Sequence, residues 1–284
     1  MFITINMNSI LIPDYLGFIR EPLAAKLEDR DFWTGERLDP NTEDGNWIDY
    51  GNFWINVADQ GSSKWLDARY LRLTGCNVGG AVNHSNFSTP YDILLDITGI
   101  KPKIFDCRQK AVMKHGSDTE PIARDWYSDK IGLQVEELGL AVPKWELRLG
   151  ASLDGSVLSP VDNKTPIGNL EIKCPQRMYR PLLRHQQDLL DGVQFEKYYH
   201  KHIWDSHYDQ MQLGMVITGQ TWSDYLVYST NDKMIFTDRV YFNQDYWEND
   251  LKPAIYDFLD NKLDPILKLI ENLKVKISKT CLSL

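Results

Sequence analysis

No apolar run in these 284 residues approaches the roughly 20 needed to span a bilayer, so no membrane partner is expected. The opening MFITINMNSILIPDYLGF is apolar but has neither a basic start nor a small-residue cleavage site, so it does not read as a signal peptide. Cysteine is scarce. Cys76, Cys107, Cys174 and Cys281 show no paired spacing, which excludes a disulfide frame, a zinc knuckle and a four-cysteine iron–sulfur site and leaves reduced intracellular thiols. No G-x-x-x-x-G-K-[ST] loop occurs, so no ATPase motor is recognisable. Internal repeats and low-complexity tracts are absent as well. Positive charge is also short, with 31 Lys and Arg against 40 Asp and Glu and a formal net charge of −9.

Nine Trp and fourteen Tyr argue against extended disorder, and the length is enough for one large core. The charge is uneven. Residues 1–61 hold eleven acids against four bases, whereas residues 62–114 hold eight bases against four acids. The total therefore hides a basic stretch that permits an anionic partner.

Residues 1–60 carry breaker signals such as LDPNTEDGN without a clear period and read as an acidic N-terminal extension; residues 61–284 form the main domain with a C-terminal helical segment. WLDARYLRLTG opens a pair of short helices around a Gly-rich bend, the second starting near Thr89-Pro90. From Lys110 to about Asp129 a helix with one buried face is expected, broken or restarted at Pro121. LQVEELGLAVP, WELRLGASLDG and IGNLEIKCP alternate as strands. An amphipathic stretch at 178–196 and a helix over HYDQMQLGMVITG follow, then WSDYLVYST and MIFTDRVYF as a terminal strand pair. In that pair Trp222, Tyr225 and Tyr228 read as core. The last helical pattern is interrupted by Pro253 and Pro265. This order predicts an α/β or α+β fold with a central mixed sheet flanked by helices.

In LEIKCP, Glu171 and Lys173 share one strand face while Leu170, Ile172 and Cys174 share the other. Asp154 lies in ASLDG, where a neighbouring strand reaches a glycine and could approach Glu171. Taken alone, E-x-K is an ordinary cross-strand ion pair and D-G an ordinary turn. Together they place two carboxylates face to face. A hard divalent cation relieves the repulsion, with the adjacent lysine free to orient or deprotonate a water. That combination suits phosphodiester hydrolysis. The run HKHIWDSH gathers His200, His202 and His207 but lacks catalytic zinc spacing.

HGSDTEPIARDWY, GASLDG, LEIKCP and YDQMQLGM, in that order, resemble the PD-(D/E)XK nuclease superfamily, and within it the lambda-exonuclease and YqaJ-type viral recombinase family, over roughly residues 64–230. The resemblance implies a restriction-endonuclease-like core. It also implies Asp154, Glu171 and the Ile172 carbonyl as metal ligands, with Glu120 near the metal, and Lys173 as the residue that positions or activates water. Gln210 is implied to face the site, whereas Gln212 reads as structural. WLDARYLRLTGCNV resembles the segment that binds a terminal 5′-phosphate, with Arg69 as the arginine, Arg72 as its competitor and Ser152 as a further phosphate contact. Cys76 stands where a serine is expected, and Thr74 offers a hydroxyl instead. The implied activity is Mg²⁺-dependent (Mn²⁺ substituting) 5′→3′ digestion of double-stranded DNA ends by in-line attack of a metal-activated water. It would act inside cells at sites of viral or phage DNA replication, in a homotrimer with a single-strand annealing protein as partner. A structure-specific or nicking endonuclease and a non-catalytic DNA-end binder remain as alternatives.

Overall fold

The computed structural model describes residues 46–101 and 103–268. Residues 1–45, Cys281 and the end of the C-terminal helical pattern lie outside them. Seven strands run in the order β1 (Trp47–Asp49), β2 (Phe53–Asn56), β4 (Val135–Pro143), β5 (Leu149–Leu158), β6 (Pro166–Lys173), β7 (Trp222–Ser229) and β8 (Met234–Tyr241), and the short β3 (Leu73–Thr74) pairs with β5 off this path. Only β6–β7 and β3–β5 are parallel, so the sheet is mixed, as the pattern of elements predicts. Residues 47–56, grouped with the extension on sequence grounds, instead form the sheet edge. There Phe53 and Ile55 alternate into the core and Ile55 pairs with Ala141.

Three short helices precede the long one: α1 (Ser63–Arg69), α2 (Gly75–Ala81) and α3 (Pro90–Ile97). The Gly-rich bend is thus itself helical. Its glycines permit close packing, because a Cβ on Gly79 would sit 2.5 Å from the Ser206 Cβ. The start at Pro90 holds, fixed by a reciprocal cap between Thr89 and Asp92. Helix α4 (Cys107–Ile131) runs unbroken through Pro121, contrary to the expected interruption. Thr119, Ala123 and Tyr127 are buried at one-turn intervals, and the Tyr127 hydroxyl donates to the Asp224 carboxylate, which also accepts two bonds from Arg239 at 2.7 and 2.8 Å. Those contacts on both sides of Pro121 offset the roughly 3 kcal/mol that an internal proline costs.

Helix α5 (Arg180–Leu190) lies within the amphipathic stretch, and α6 (Asp205–Thr218) ends at Gly219, whose φ of 71° suits a left-handed cap. At the C-terminal side, α7 (Gln244–Tyr246) and α8 (Lys252–Phe258) are joined by a π turn at Trp247–Leu251, and a second π turn spans Leu259–Leu263. Each π turn sits just before a proline, Pro253 or Pro265. The widened ladder holds the carbonyl that the ring would otherwise strike, so the helix continues where interruptions were expected. One face of the sheet packs on α2, α3, α6 and this terminal run, the other on α4. Trp222, Tyr225 and Tyr228 do pack, but Trp222 and Tyr228 under α4 and Tyr225 on the opposite face. Among the described residues no helix is long and apolar enough to cross a membrane.

Candidate active site

Strands β5 and β6 form a hairpin in which Ser156 pairs with Asn169 and Gly155 with Leu170. The paired register ends at Gly155. Next in line, Asp154 uses its carboxylate to accept the Ile172 N–H at 2.7 Å, and its carbonyl accepts Arg124 Nε at 2.6 Å. A side chain thus replaces a rung of the ladder and holds the backbone of Ile172 against Asp154. Leu170, Ile172 and Cys174 point under α4 into the apolar cluster, which pushes the Cys174 thiol up to about 12 through burial and the charge of Glu120. Glu171, opposite Tyr225 in the parallel register, is buried on the other face and accepts a hydrogen bond from Lys173 Nζ.

Burial sets the electrostatics. It pushes Glu171 up to about 8, against the pull of Lys173 and with the charge of Asp154 adding to it. Glu120, on α4, is pushed up to about 7 by burial and then by Asp154. Asp154 is also raised, by burial, although Lys173 and the Ile172 N–H draw it down. Lys173 is raised as well, but by its neighbours rather than by burial. Burial would lower it, but Glu171 and Asp154 outweigh that and keep it charged. The three carboxylates therefore act on one another's charge with incomplete compensation. A hard, oxygen-seeking divalent cation is the kind of group that Asp154 and Glu171 could hold, with Glu120 alongside.

A second group adjoins it. Arg69, in the last turn of α1, donates from Nη1 to Ser152 Oγ at 3.1 Å, and from Nη2 to Thr74 Oγ1 at 3.0 Å and Cys76 Sγ at 2.8 Å, while its guanidinium lies 4.2 Å from the Trp65 ring. Four of the five residues expected to bind phosphate thus converge. Desolvation pushes the Cys76 thiol up, but Arg69 and the Thr74 hydroxyl outweigh it and hold the thiol below its ordinary value. Arg72 does not join them. It donates to the carbonyls of Leu147 at 2.9 Å and Ala68 at 2.5 Å and lies over Trp47, so its fork ties α1 to the turn before β5. Gln210 packs against Gly75, beside Thr74 and Cys76, where a Cβ would come 3.2 Å from its Cγ. Gln212 is fully buried, donates to the Tyr241 carbonyl and accepts from the Asn243 N–H.

Sequence reasoning missed Arg124, although it lies within HGSDTEPIARDWY. Four residues after Glu120, it donates to that carboxylate at 2.7 Å, to Glu137 at 3.3 Å and to the Asp154 carbonyl, so it holds the helix acid against the strand acid. The one-turn spacing was the available signal. Tyr179, close enough to Lys173 for its charge to act on it, was also missed, and His207, considered only as a zinc ligand, is another such neighbour. His207 hydrogen-bonds the Tyr225 hydroxyl at 2.8 Å, and burial, then Lys173, lowers it to about 2, so it is neutral. The histidine run itself separates: His200 stacks on Tyr208, and His202 pairs with Asp238 and stacks on His185.

A mixed sheet that delivers D-G and E-x-K from adjacent strands, with a helix acid alongside, defines the PD-(D/E)XK nuclease fold. The chain belongs to the YqaJ-like viral recombinase domain family, whose profile matches residues 64–221. Its structure is similar to that of an alkaline exonuclease, LHK-Exo, from Laribacter hongkongensis, at 24% identity and a TM-score of 0.54 over 77% of this chain and 100% of that one. LHK-Exo in complex with dAMP is similar over the same shares, at 25% identity and a TM-score of 0.54. No curated protein matches the chain.

Proposed function

We propose that the chain is a phage-type DNA exonuclease that digests linear duplex DNA from 5′ ends with the help of a divalent cation. The observation that carries this reading is the proximity of the two groups on one strand. Ser152, bonded to Arg69, and Asp154 lie two residues apart on β5, about 7 Å along an extended chain. An anchor for a terminal phosphate beside a cation-holding acid favours attack at a chain end over attack within a duplex. Membership in the recombinase family and likeness to an exonuclease support the same activity.

Asp154 and Glu171, with Glu120 and the Ile172 carbonyl, would hold the cation. When bound, Mg²⁺ or Mn²⁺ supplies Lewis acidity at a phosphoryl oxygen and eases formation of the hydroxide nucleophile. The residues do the rest. Arg69 grips the terminal phosphate through both Nη atoms, assisted by Thr74, Cys76 and Ser152. Lys173, kept charged by its acidic neighbours, orients a water by donating to it and stabilises the negative charge that develops on the phosphate. That raised pKa favours orientation over proton abstraction by the lysine. Arg124 keeps Glu120 and Asp154 in register.

Linear duplexes with 5′-phosphate or 5′-hydroxyl ends, labelled at either terminus, test this beside a closed circle. Mg²⁺ should release nucleotides from the 5′ end of linear DNA, EDTA should stop the release, and the circle should stay intact. Asp154→Ala and Lys173→Ala should each reduce cleavage by at least about a hundredfold. Parental rates in either variant, or cutting of the circle, would overturn the reading.

A further inference from the structure

Lys173 has an aromatic neighbourhood that the proposed chemistry does not use. His207 hydrogen-bonds the hydroxyl of Tyr225, the strand partner of the Glu171 to which Lys173 donates; the Tyr179 ring lies 4.6 Å from Trp204, and Trp204 lies 5.1 Å from His207 and 6.0 Å from Phe87. The rings thus run outward from a half-buried lysine to solvent, where Trp204 is 38% and Phe87 81% exposed. Single exposed rings are common on proteins, but a connected line starting at a catalytic amine is not accounted for by the core.

Neither end is a loose tip. The turn bearing Phe87 begins at Asn83, with φ of 63°, and His84 Nδ1 pairs with the fully buried Asp209 of α6 at 2.9 Å; the Phe87 N–H donates to Ser85 Oγ at 3.1 Å. Trp204 caps α6, its carbonyl accepting the N–H groups of His207 and Tyr208. Two segments far apart in sequence therefore hold their rings at fixed positions on one helix end.

We propose that Phe87 and Trp204, backed by Tyr179, form a stacking platform for an unpaired nucleobase of the DNA strand whose phosphate lies at Lys173. Continuity with the phosphate-handling pocket selects this occupant, because bases are what a strand presents beside its phosphates. Ring stacking also accepts every base, which suits an enzyme that removes nucleotides regardless of sequence. The inference rests on the nuclease reading.

The test is a binding cycle with the full chain, Ca²⁺ and a 5′-phosphorylated single strand carrying either 2-aminopurine or an abasic site at its first position. Phe87→Ala and Trp204→Ala should each weaken binding of the strand with the base by about fivefold to a hundredfold. Both should bind the abasic strand as the parent does, and Trp204→Phe should recover most of the affinity. The parent should quench 2-aminopurine more than Phe87→Ala does. Phe87, outside the core, carries the test if the Trp204 variants fail to fold. Equal losses on both strands, or parental binding by Phe87→Ala, would overturn the platform. Cleavage with Mg²⁺ is read separately. A parent that stacks but does not cut sinks the nuclease reading alone, one that cuts without the base-dependent loss sinks the platform alone, and one that binds neither strand sinks both.

Discussion

Replacing Glu171 by Gln should alter the pH dependence of stability in the metal-free protein. Glu171 rises from 4.5 to about 8 on folding, mainly through burial. A carboxyl whose folded value is raised contributes fully below its unfolded value, and that contribution fades as pH climbs through the folded one. Between pH 4.5 and pH 7 the unfolded chain has lost this proton while the folded chain still binds it, so about 3 kcal/mol of stability disappears over that interval. Glu120 and Asp154, both raised, add in the same direction, whereas the shift of Lys173 acts only at higher pH. Thermal unfolding in EDTA from pH 5 to pH 8.5 should therefore show the parent melting at progressively lower temperature and E171Q, which mimics the protonated acid, with a visibly shallower slope. Mg²⁺ or Mn²⁺ should restore the parent at the alkaline end and do much less for E171Q. Identical slopes for the two proteins in EDTA would refute the account of the site as a set of under-compensated acids.

Arg69→Ala should reduce the preference for 5′-phosphate over 5′-hydroxyl ends by about tenfold or more, since charge-assisted bonds are worth roughly 1.5–3 kcal/mol. Arg72→Ala should instead lower the unfolding midpoint and leave that ratio alone, and competition between the two ends checks both. Gly79→Ala should cost about 1–3 kcal/mol through overpacking against Ser206, read by urea denaturation, with an unchanged melt as the result that would refute it.

Much of this was legible because alternation carries it. The faces of LEIKCP follow from period two alone, and the structure puts Ile172 under α4 and Glu171 opposite Tyr225 as that period requires. The convergence of Arg69, Thr74, Cys76 and Ser152 came from resemblance, since no local pattern links residues 83 positions apart. The prolines misled. Their local cost at Pro121, Pro253 and Pro265 is real, but tertiary packing and two π turns absorb it. Arg72 misled for a different reason. An arginine three residues beyond the one that ends a short helix has the same chemistry, and only the carbonyls of Ala68 and Leu147 show which way it turns. Residues 47–56 were missed because so short a pair of strands offers too few positions to establish a period.

The β5–β6 hairpin also makes the two halves of the pocket unequal in the length of chain they close. Asp154 meets Ile172 across 18 positions, a contact that a nascent chain can close early, whereas Arg69 reaches Ser152 across 83. Closing the short loop costs the chain less entropy than closing the long one, so the contact between the strands is the more local half of the pocket and the arginine's contact depends on the whole domain being folded.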